Sequence, residues 1–360
     1  MRVLLTTDNL GGVWTFTLNL AEGLRNYGIE VFIAVTGTEL SSSQEDNIRS
    51  FNHDLILTKQ EWMDNPWDDL DRAGRQLFLI TKIIKPDIVH LNSFTFGSLQ
   101  WDVPVVITAH SCVLSWWESV LNEKAPPEWD IYRSIIGKGI RSADLLVAPS
   151  FAMMETAKRL YSPRCISLIY NGIEQSDFFV VGKEEMIFSM GRLWDKAKNI
   201  KLVLEAANDI NYPIYIAGDY SGSQAETPDN VHFLGYLDQS LVRGYLSRSS
   251  IYLLPVKYEP FGYTFLEAAL SGCALITGHI QSMREIWNES AMFCDPNDSR
   301  ALAETVNSLM ADKVMMSKLA KSAKERAGSM YSIEKMTAGY IREYNRILKS
   351  ASKQALKTEV

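Results

Sequence analysis

The sequence predicts an α/β protein of two doubly wound parallel-sheet domains facing each other across a cleft. Three observations predict it. Short β-branched runs alternate with amphipathic stretches along the chain. The alternation passes through two rounds, with a polar interruption between them. And 360 residues, 46% of them hydrophobic, are too many for one ordinary core and enough for two.

In the first round, residues 2–6, 30–35, 87–91, 105–109, 144–148 and 166–170 read as strands. Between the first two, Val13, Phe16, Thr17, Leu20, Ala21 and Leu24 recur at helical spacing, and Gly28 is a natural stop. Strand, helix, strand in that order implies a parallel sheet with right-handed crossovers. The second round places strands at 186–190, 214–217, 231–234, 251–254 and 274–277. The turn Asn171-Gly172-Ile173 and the polar stretch 174–183 separate the two, giving domains at 1–172 and 183–330. After Cys294-Asp295-Pro296 the pattern is helical over 299–310, 314–327 and 333–348, with Met336, Tyr340, Ile341 and Tyr344 on one face of the last. The helix within 331–350 is expected to pack back toward the N-terminal domain, and the polar residues 351–360 to fray.

A formal charge of −7 speaks against nucleic acid as a partner, since polyanions are held by a lysine and arginine footprint. No apolar run approaches the ~20 residues that span a bilayer, and no signal-peptide pattern opens the chain. A cytoplasmic protein is expected, touching a membrane at most from one side. The four cysteines are scattered singly, without zinc spacing, which fits reduced thiols.

In parallel sheets ligands bind at the carboxyl ends of strands, so the loops that follow strands carry the chemistry. The most informative runs Tyr258-Glu259-Pro260-Phe261-Gly262-Tyr263-Thr264-Phe265-Leu266-Glu267, directly after a strand. Pro260 disfavours helix at Glu259, and Gly262 permits close backbone approach, so a helix should begin near Tyr263. Its free amides and positive dipole end suit a diphosphate. Glu259 in the loop and Glu267, about 6 Å along the helix axis from Tyr263, can each hold sugar hydroxyls. The bland alternative makes Glu259 a turn cap and Glu267 a surface residue; the Pro-Phe-Gly between them and the strand before them favour the site.

A second loop, Gly191-Arg192-Leu193-Trp194-Asp195-Lys196-Ala197-Lys198, follows the first strand of the second domain. Gly191 allows a tight exit, and Arg192 and Lys198 can bracket one anion, a forked donor beside a compact charge. Alone, each would more often be a solvated surface charge.

With these motifs the chain resembles glycosyltransferase family 4, whose retaining GT-B members carry two glutamates eight positions apart, and the likeness runs from residue 1 to about 350. Two further motifs agree. Asp8-Asn9-Leu10-Gly11-Gly12-Val13-Trp14 is similar to that family's first loop, and Val105-Val106-Ile107-Thr108-Ala109-His110 ends a strand with a histidine that resembles the one with which the family contacts the transferred sugar. One residue is inserted between Arg192 and Lys198 relative to many members, which leaves Lys196 as the alternative clamp.

The resemblance implies two Rossmann-like domains and a retaining glycosyltransferase that needs neither cofactor nor metal. It would move a hexosyl group from a nucleotide diphosphate sugar to a glycan or glycolipid acceptor in polysaccharide or cell-envelope glycan synthesis. UDP-glucose is favoured as donor on family frequency, with GDP-mannose next. It assigns Glu267 to the ribose hydroxyls and Glu259 to the donor sugar. Gly12, Gly191 and the amides of Phe261, Gly262, Tyr263 and Thr264 would line sugar and phosphate, Arg192 and Lys198 would neutralise the leaving diphosphate, and His110 would orient the sugar. Gly11, Trp116 and Trp117 fall on the acceptor side.

Asp69-Leu70-Asp71 has the spacing of a metal motif but opens an amphipathic helix, where the carboxylates favour the helix dipole. The stretch from Cys112 to Trp129 reads equally as a mobile aromatic lid or a packed hairpin or helix. Rival readings are a nucleotide-sugar 2-epimerase, a non-catalytic nucleotide-sugar sensor, and a dinucleotide-dependent dehydrogenase, the last weakened by the missing glycine fingerprint.

Overall fold

A computed structural model of the protein describes residues 1–219 and 227–358, with side chains described to residue 352. It divides into two compact units. One consists of Met1–Glu118, Glu123–Ile173 and the C-terminal segment from Ile333; the other of Ser119–Asn122 and Glu174–Ser332.

The first unit holds seven parallel strands: β1 (Arg2–Thr7), β2 (Glu30–Gly37), β3 (Asn52–Leu57), β4 (Ile88–Leu91), β5 (Val105–Thr108), β6 (Leu145–Ala148) and β7 (Ile166–Leu168). Their order is β3-β2-β1-β4-β5-β6-β7. The second unit holds six: β8 (Glu184–Met190), β9 (Ile214–Ala217), β10 (Val231–Gly235), β11 (Ser249–Leu254), β12 (Ala274–Gly278) and β13 (Met292–Cys294), ordered β10-β9-β8-β11-β12-β13. In both sheets the order reverses beside the first strand, between β1 and β4 and between β8 and β11. At such a switch point neighbouring crossovers run to opposite faces and leave a crevice at the carboxyl ends.

The central strands are apolar on both sides, as covered parallel sheets require: Val3, Leu4, Leu5, Ile251, Leu253 and Leu254 have no exposed surface. Two strands fall outside the predicted set, and both are edges. Within Asn52–Leu57 only Ile56 is buried, so β3 carries no apolar alternation. Met292–Cys294 is three residues long and pairs with β12 alone.

The last helix, Ile333–Thr358, runs on through the stretch expected to fray, a correction to the predicted end at residue 348. It belongs to the first unit and packs on helix Gly12–Asn26, where a Cβ on Gly23 would stand 1.9 Å from Thr337 Oγ1. Only glycine allows that approach. A buried polar chain ties the same helix to the sheet. His90 meets the Tyr344 hydroxyl through Nδ1 at 2.6 Å and Thr108 Oγ1 through Nε2 at 2.7 Å, and Thr108 meets the Tyr340 hydroxyl at 2.9 Å. Burial, with His110 nearby, holds His90 down at about 3, so it is neutral and its ring spends both nitrogens on the network.

The segment after His110 is helical: Val113–Trp116, a π-turn at Trp117–Leu121, and a short turn at Pro127–Trp129 before helix Asp130–Ser142. Trp117 and Trp129 pack against the first unit's core, which favours the packed reading of this stretch. Asp69 and Asp71 lie in the helix Trp67–Ile84, paired with Arg72 and Arg75 of that helix. Among the described residues no group of three or more His, Cys, Asp or Glu could hold a metal, and no helix is long and apolar enough to cross a membrane.

Candidate active site

Two loops of the second unit meet at the switch point of its sheet. β8 ends at Met190; the Gly191 amide donates to the Ala217 carbonyl at 3.1 Å and the chain turns twice, Asp195 N to Arg192 O at 3.0 Å and Lys198 N to Asp195 O at 2.9 Å. Asn199, with φ 57°, ends the turn and donates its side-chain amide to the carbonyls of Pro255 (2.9 Å) and Pro296 (2.8 Å). The Lys257 amide reaches the Ala197 carbonyl at 2.9 Å. These bonds fasten the basic loop to the one that follows β11.

In that second loop the Glu259 carbonyl accepts from Ser282 Oγ at 2.5 Å, and Glu259 Oε1 accepts from the Phe261 amide at 3.4 Å. Gly262 has φ 90° and stands at the start of helix Tyr263–Leu270, which no side chain caps. A Cβ there would lie 2.8 Å from Phe265 and 3.2 Å from the Glu259 side chain, so sterics and conformation both demand glycine. Phe261 and Tyr263 are buried, Phe261 edge-on to Tyr331 at 5.4 Å; their side chains are packing, and the loop offers a ligand its backbone. Beneath, Tyr252 of β11 donates to the Met190 carbonyl at 3.3 Å and packs edge-on to Phe265 at 5.2 Å. Burial raises the Tyr252 hydroxyl far above its usual range, and Thr264 is hydrogen-bonded to it.

The two cations expected to bracket one anion each hold a carboxylate. Lys198 Nζ lies 2.5 Å from Glu259 Oε2, and both side chains are nearly buried. Arg192 reaches Asp195 Oδ2 at 3.2 Å and lies over the Trp194 ring at 5.4 Å. Asp195 is itself buried, its other oxygen accepting from the Ala197 amide at 2.9 Å. Lys196 points to solvent, whereas Lys198 is the lysine paired with Glu259. The Lys198 stem passes Gly191, where a Cβ would meet Lys198 Cγ at an ordinary contact of 3.5 Å.

Glu267 is 9% exposed, and burial lifts its carboxyl to about 7 while Arg243 draws it down. The native state therefore holds a proton that the unfolded chain has lost between pH 4.5 and 7. This contribution is full below pH 4.5 and fades as pH rises through 7, a span of about 3 kcal/mol. Glu267→Gln should accordingly match the parent at pH 4.5 and exceed it by roughly that amount at pH 8. Urea unfolding at the two pH values checks this; an equal difference at both would show that the carboxyl does not titrate as described.

In the first unit, Gly11 precedes helix Gly12–Asn26 with φ 67° and ψ −133°, a conformation for glycine alone, and nothing lies within 4 Å of where a Cβ would stand. Asn9 fixes this loop by donating to the Thr38 and Glu39 carbonyls at 3.0 and 3.2 Å. His110, just past β5, is half-buried, edge-on to Phe16 at 4.6 Å, and held at about 3 by burial. Its Nε2 meets Asn92 Oδ1 at 2.8 Å. The Asn92 amide nitrogen donates to the Thr6 carbonyl at 2.7 Å, so Oδ1 is the acceptor and His110 carries its proton on Nε2. Nδ1 then presents a lone pair. Trp116 and Trp117 are half-buried and edge-on to each other at 6.1 Å.

Asp195, Asn199, Ser282, Tyr252 and Asn92 were not singled out by sequence reasoning. Asn199 follows Lys198 directly, and Asn92 follows β4 at the switch point; those placements were the available signals.

Residues 10–177 match Glycosyltransferase Family 4, and residues 173–326 match Glycosyl transferases group 1. The chain is similar to the glycogen synthase of Mycobacterium tuberculosis, 25% identical over 324 residues, with 81% of this chain and 75% of that protein covered. Among solved structures it is similar to sucrose-phosphate synthase from Thermosynechococcus elongatus, TM-score 0.81 at 18% identity, covering 97% of this chain and 100% of that one. HepE of Anabaena in complex with UDP-glucose gives a TM-score of 0.76 at 15% identity, covering 97% and 100%. Likeness at such identity speaks to the fold alone.

Proposed function

Because the chain is a glycosyltransferase of the GT-B fold, a Glycosyltransferase Family 4 domain joined to a Glycosyl transferases group 1 domain, we propose that it is a retaining enzyme. It transfers a hexosyl group from a nucleotide diphosphate sugar to a glycan or glycolipid. The observation that carries this is the meeting of Lys198, Glu259 and Arg192 beside the uncapped start of helix Tyr263–Leu270, with Glu267 buried one turn on.

Arg192, Lys198 and the helix amides hold the diphosphate, Glu259 the donor sugar and Glu267 the ribose. As the bond from the anomeric carbon to the phosphate oxygen breaks, negative charge builds on that oxygen and the two cations stabilise it without help from a metal. The acceptor hydroxyl attacks the anomeric carbon from the face the diphosphate leaves. Its proton passes to the departing phosphate oxygen, so the configuration is kept and no covalent bond to the protein forms. His110, neutral near pH 7, orients the sugar through Nδ1, and the turn at Gly11 and Gly12 offers amides on the acceptor side, where Trp116 and Trp117 also belong. Glycogen synthase among the relatives and UDP-glucose in the HepE complex support a UDP-glucose donor; GDP-mannose is next.

A thermal-shift panel of nucleotide sugars should single out one donor, since a ligand binding only the folded state raises its stability with occupancy. NMR of the product formed with that donor should then show the donor's anomeric configuration. Inversion would refute the mechanism, and interconversion of the donor sugar without acceptor would make the protein an epimerase.

A further inference from the structure

We propose that Lys198 is a built-in occupant of the donor-sugar position, exchanged for sugar hydroxyls on binding, so that the site selects an intact nucleotide sugar over the nucleoside diphosphate left after transfer. This rests on the donor site proposed above.

The contact is an ion pair with both side chains largely shielded from water, Lys198 15% and Glu259 14% exposed, at 2.5 Å. Its halves differ in freedom. Glu259 is held: its carbonyl takes the Ser282 hydroxyl at 2.5 Å and its Oε1 takes the Phe261 amide at 3.4 Å. Swinging out to water would cost the carboxylate its bond to the Phe261 amide. Lys198 is a flexible four-carbon stem that passes Gly191, where no side chain stands in its way.

A nucleoside diphosphate entering alone has two courses. It can draw Lys198 away and leave Glu259 an enclosed anion without its cation, or it can share the ammonium and set phosphate and carboxylate side by side. Both are unfavourable, because a charge removed from water must keep a partner. A nucleotide sugar escapes the choice: its hydroxyls donate to Glu259 while Lys198 turns to the phosphates. Once the sugar has moved to the acceptor the donors on Glu259 are gone, Lys198 returns, and the diphosphate loses its lysine. Recognition of the sugar and discharge of the product thus share one carboxylate. Arg192 differs in that its side chain is 46% exposed, and Asp195 keeps the Ala197 amide when the guanidinium leaves.

Calorimetry with UDP and UDP-glucose, or GDP and GDP-mannose if the panel selects guanosine, tests the exchange on the parent, Glu259→Gln and Lys198→Ala. Glutamine keeps an acceptor for the Phe261 amide but carries no charge. Glu259→Gln should bind the diphosphate about tenfold more tightly and the nucleotide sugar more weakly, collapsing the parent's preference. Diphosphate affinity unchanged or lowered in Glu259→Gln overturns the exchange. If Lys198→Ala still weakens both ligands, the donor site survives that result; if Lys198→Ala and Glu259→Gln alter neither, the donor site falls as well. Should Glu259→Gln fail to fold, crystals of the parent with each ligand decide. Lys198 Nζ should lie beyond ion-pair distance of Glu259 with the nucleotide sugar, and finding it still paired there overturns the proposal.

Discussion

Arg192→Ala should lower kcat by about two to three orders of magnitude, the loss found when one preorganised donor to a developing anion is removed. The fold should survive. Arg192 is half exposed, its carboxylate partner Asp195 keeps the Ala197 amide, and the turns from Arg192 to Lys198 are closed by backbone bonds. The expected signature is thus a fall in turnover with a melting temperature close to the parent's. Lysine at 192 should restore part of the rate, since it returns the charge without the fork. Full activity in the alanine variant on the identified donor would refute the site assignment.

The second large effect concerns acid. His90 and His110 are both held at about 3 by burial, against 6.5 in the unfolded chain. A depressed histidine is a group the native state keeps neutral while the unfolded chain takes up a proton. Its contribution is complete above pH 6.5 and is lost as pH falls from there toward 3. At pH 4.5 each should have cost about 3 kcal/mol, a large part of a typical domain's stability. The first unit should therefore unfold ahead of the second on acidification. His90→Gln keeps a polar group beside Tyr344 and Thr108 but cannot gain a proton, so it should lower stability at pH 7.5 and narrow the deficit at pH 4.5. Calorimetric scans at both pH values check this, and a deficit independent of pH would mean that His90 takes up its proton in the native state as readily as in the unfolded chain.

Much of the architecture was legible in residue order. Central strands such as Leu4-Leu5 and Leu253-Leu254 announce themselves because a sheet covered on both faces must be apolar throughout. The edges did not: Asn52–Leu57, with one side lacking a neighbouring strand, opens with three polar residues and buries only Ile56. The loop at Glu259 could be read because Pro260 and Gly262 constrain the backbone locally, and the helix does begin at Tyr263. Its supports could not. Asn199 acts on carbonyls 56 and 97 positions away, and Asn92 on Thr6 and Thr17, at separations of 86 and 75. Periodicity does not report bonds of that range. Nor could the order of residues reveal that Lys198 pairs with Glu259 before any ligand arrives, because a cation and a carboxylate 61 positions apart are coupled only by the closure of the sheet between them.

The helix that brings Tyr340 and Tyr344 to His90 has a consequence for biosynthesis. On the ribosome the seven strands of the first sheet emerge early, yet the segment that completes their buried polar chain is translated after residues 174–332. At 5–20 residues per second that is a wait of about 10 to 30 s. Until then Phe16, Gly23 and His90 lack the helix that covers them in the finished fold. The second sheet, continuous in sequence, has all its strands once Cys294 has been added.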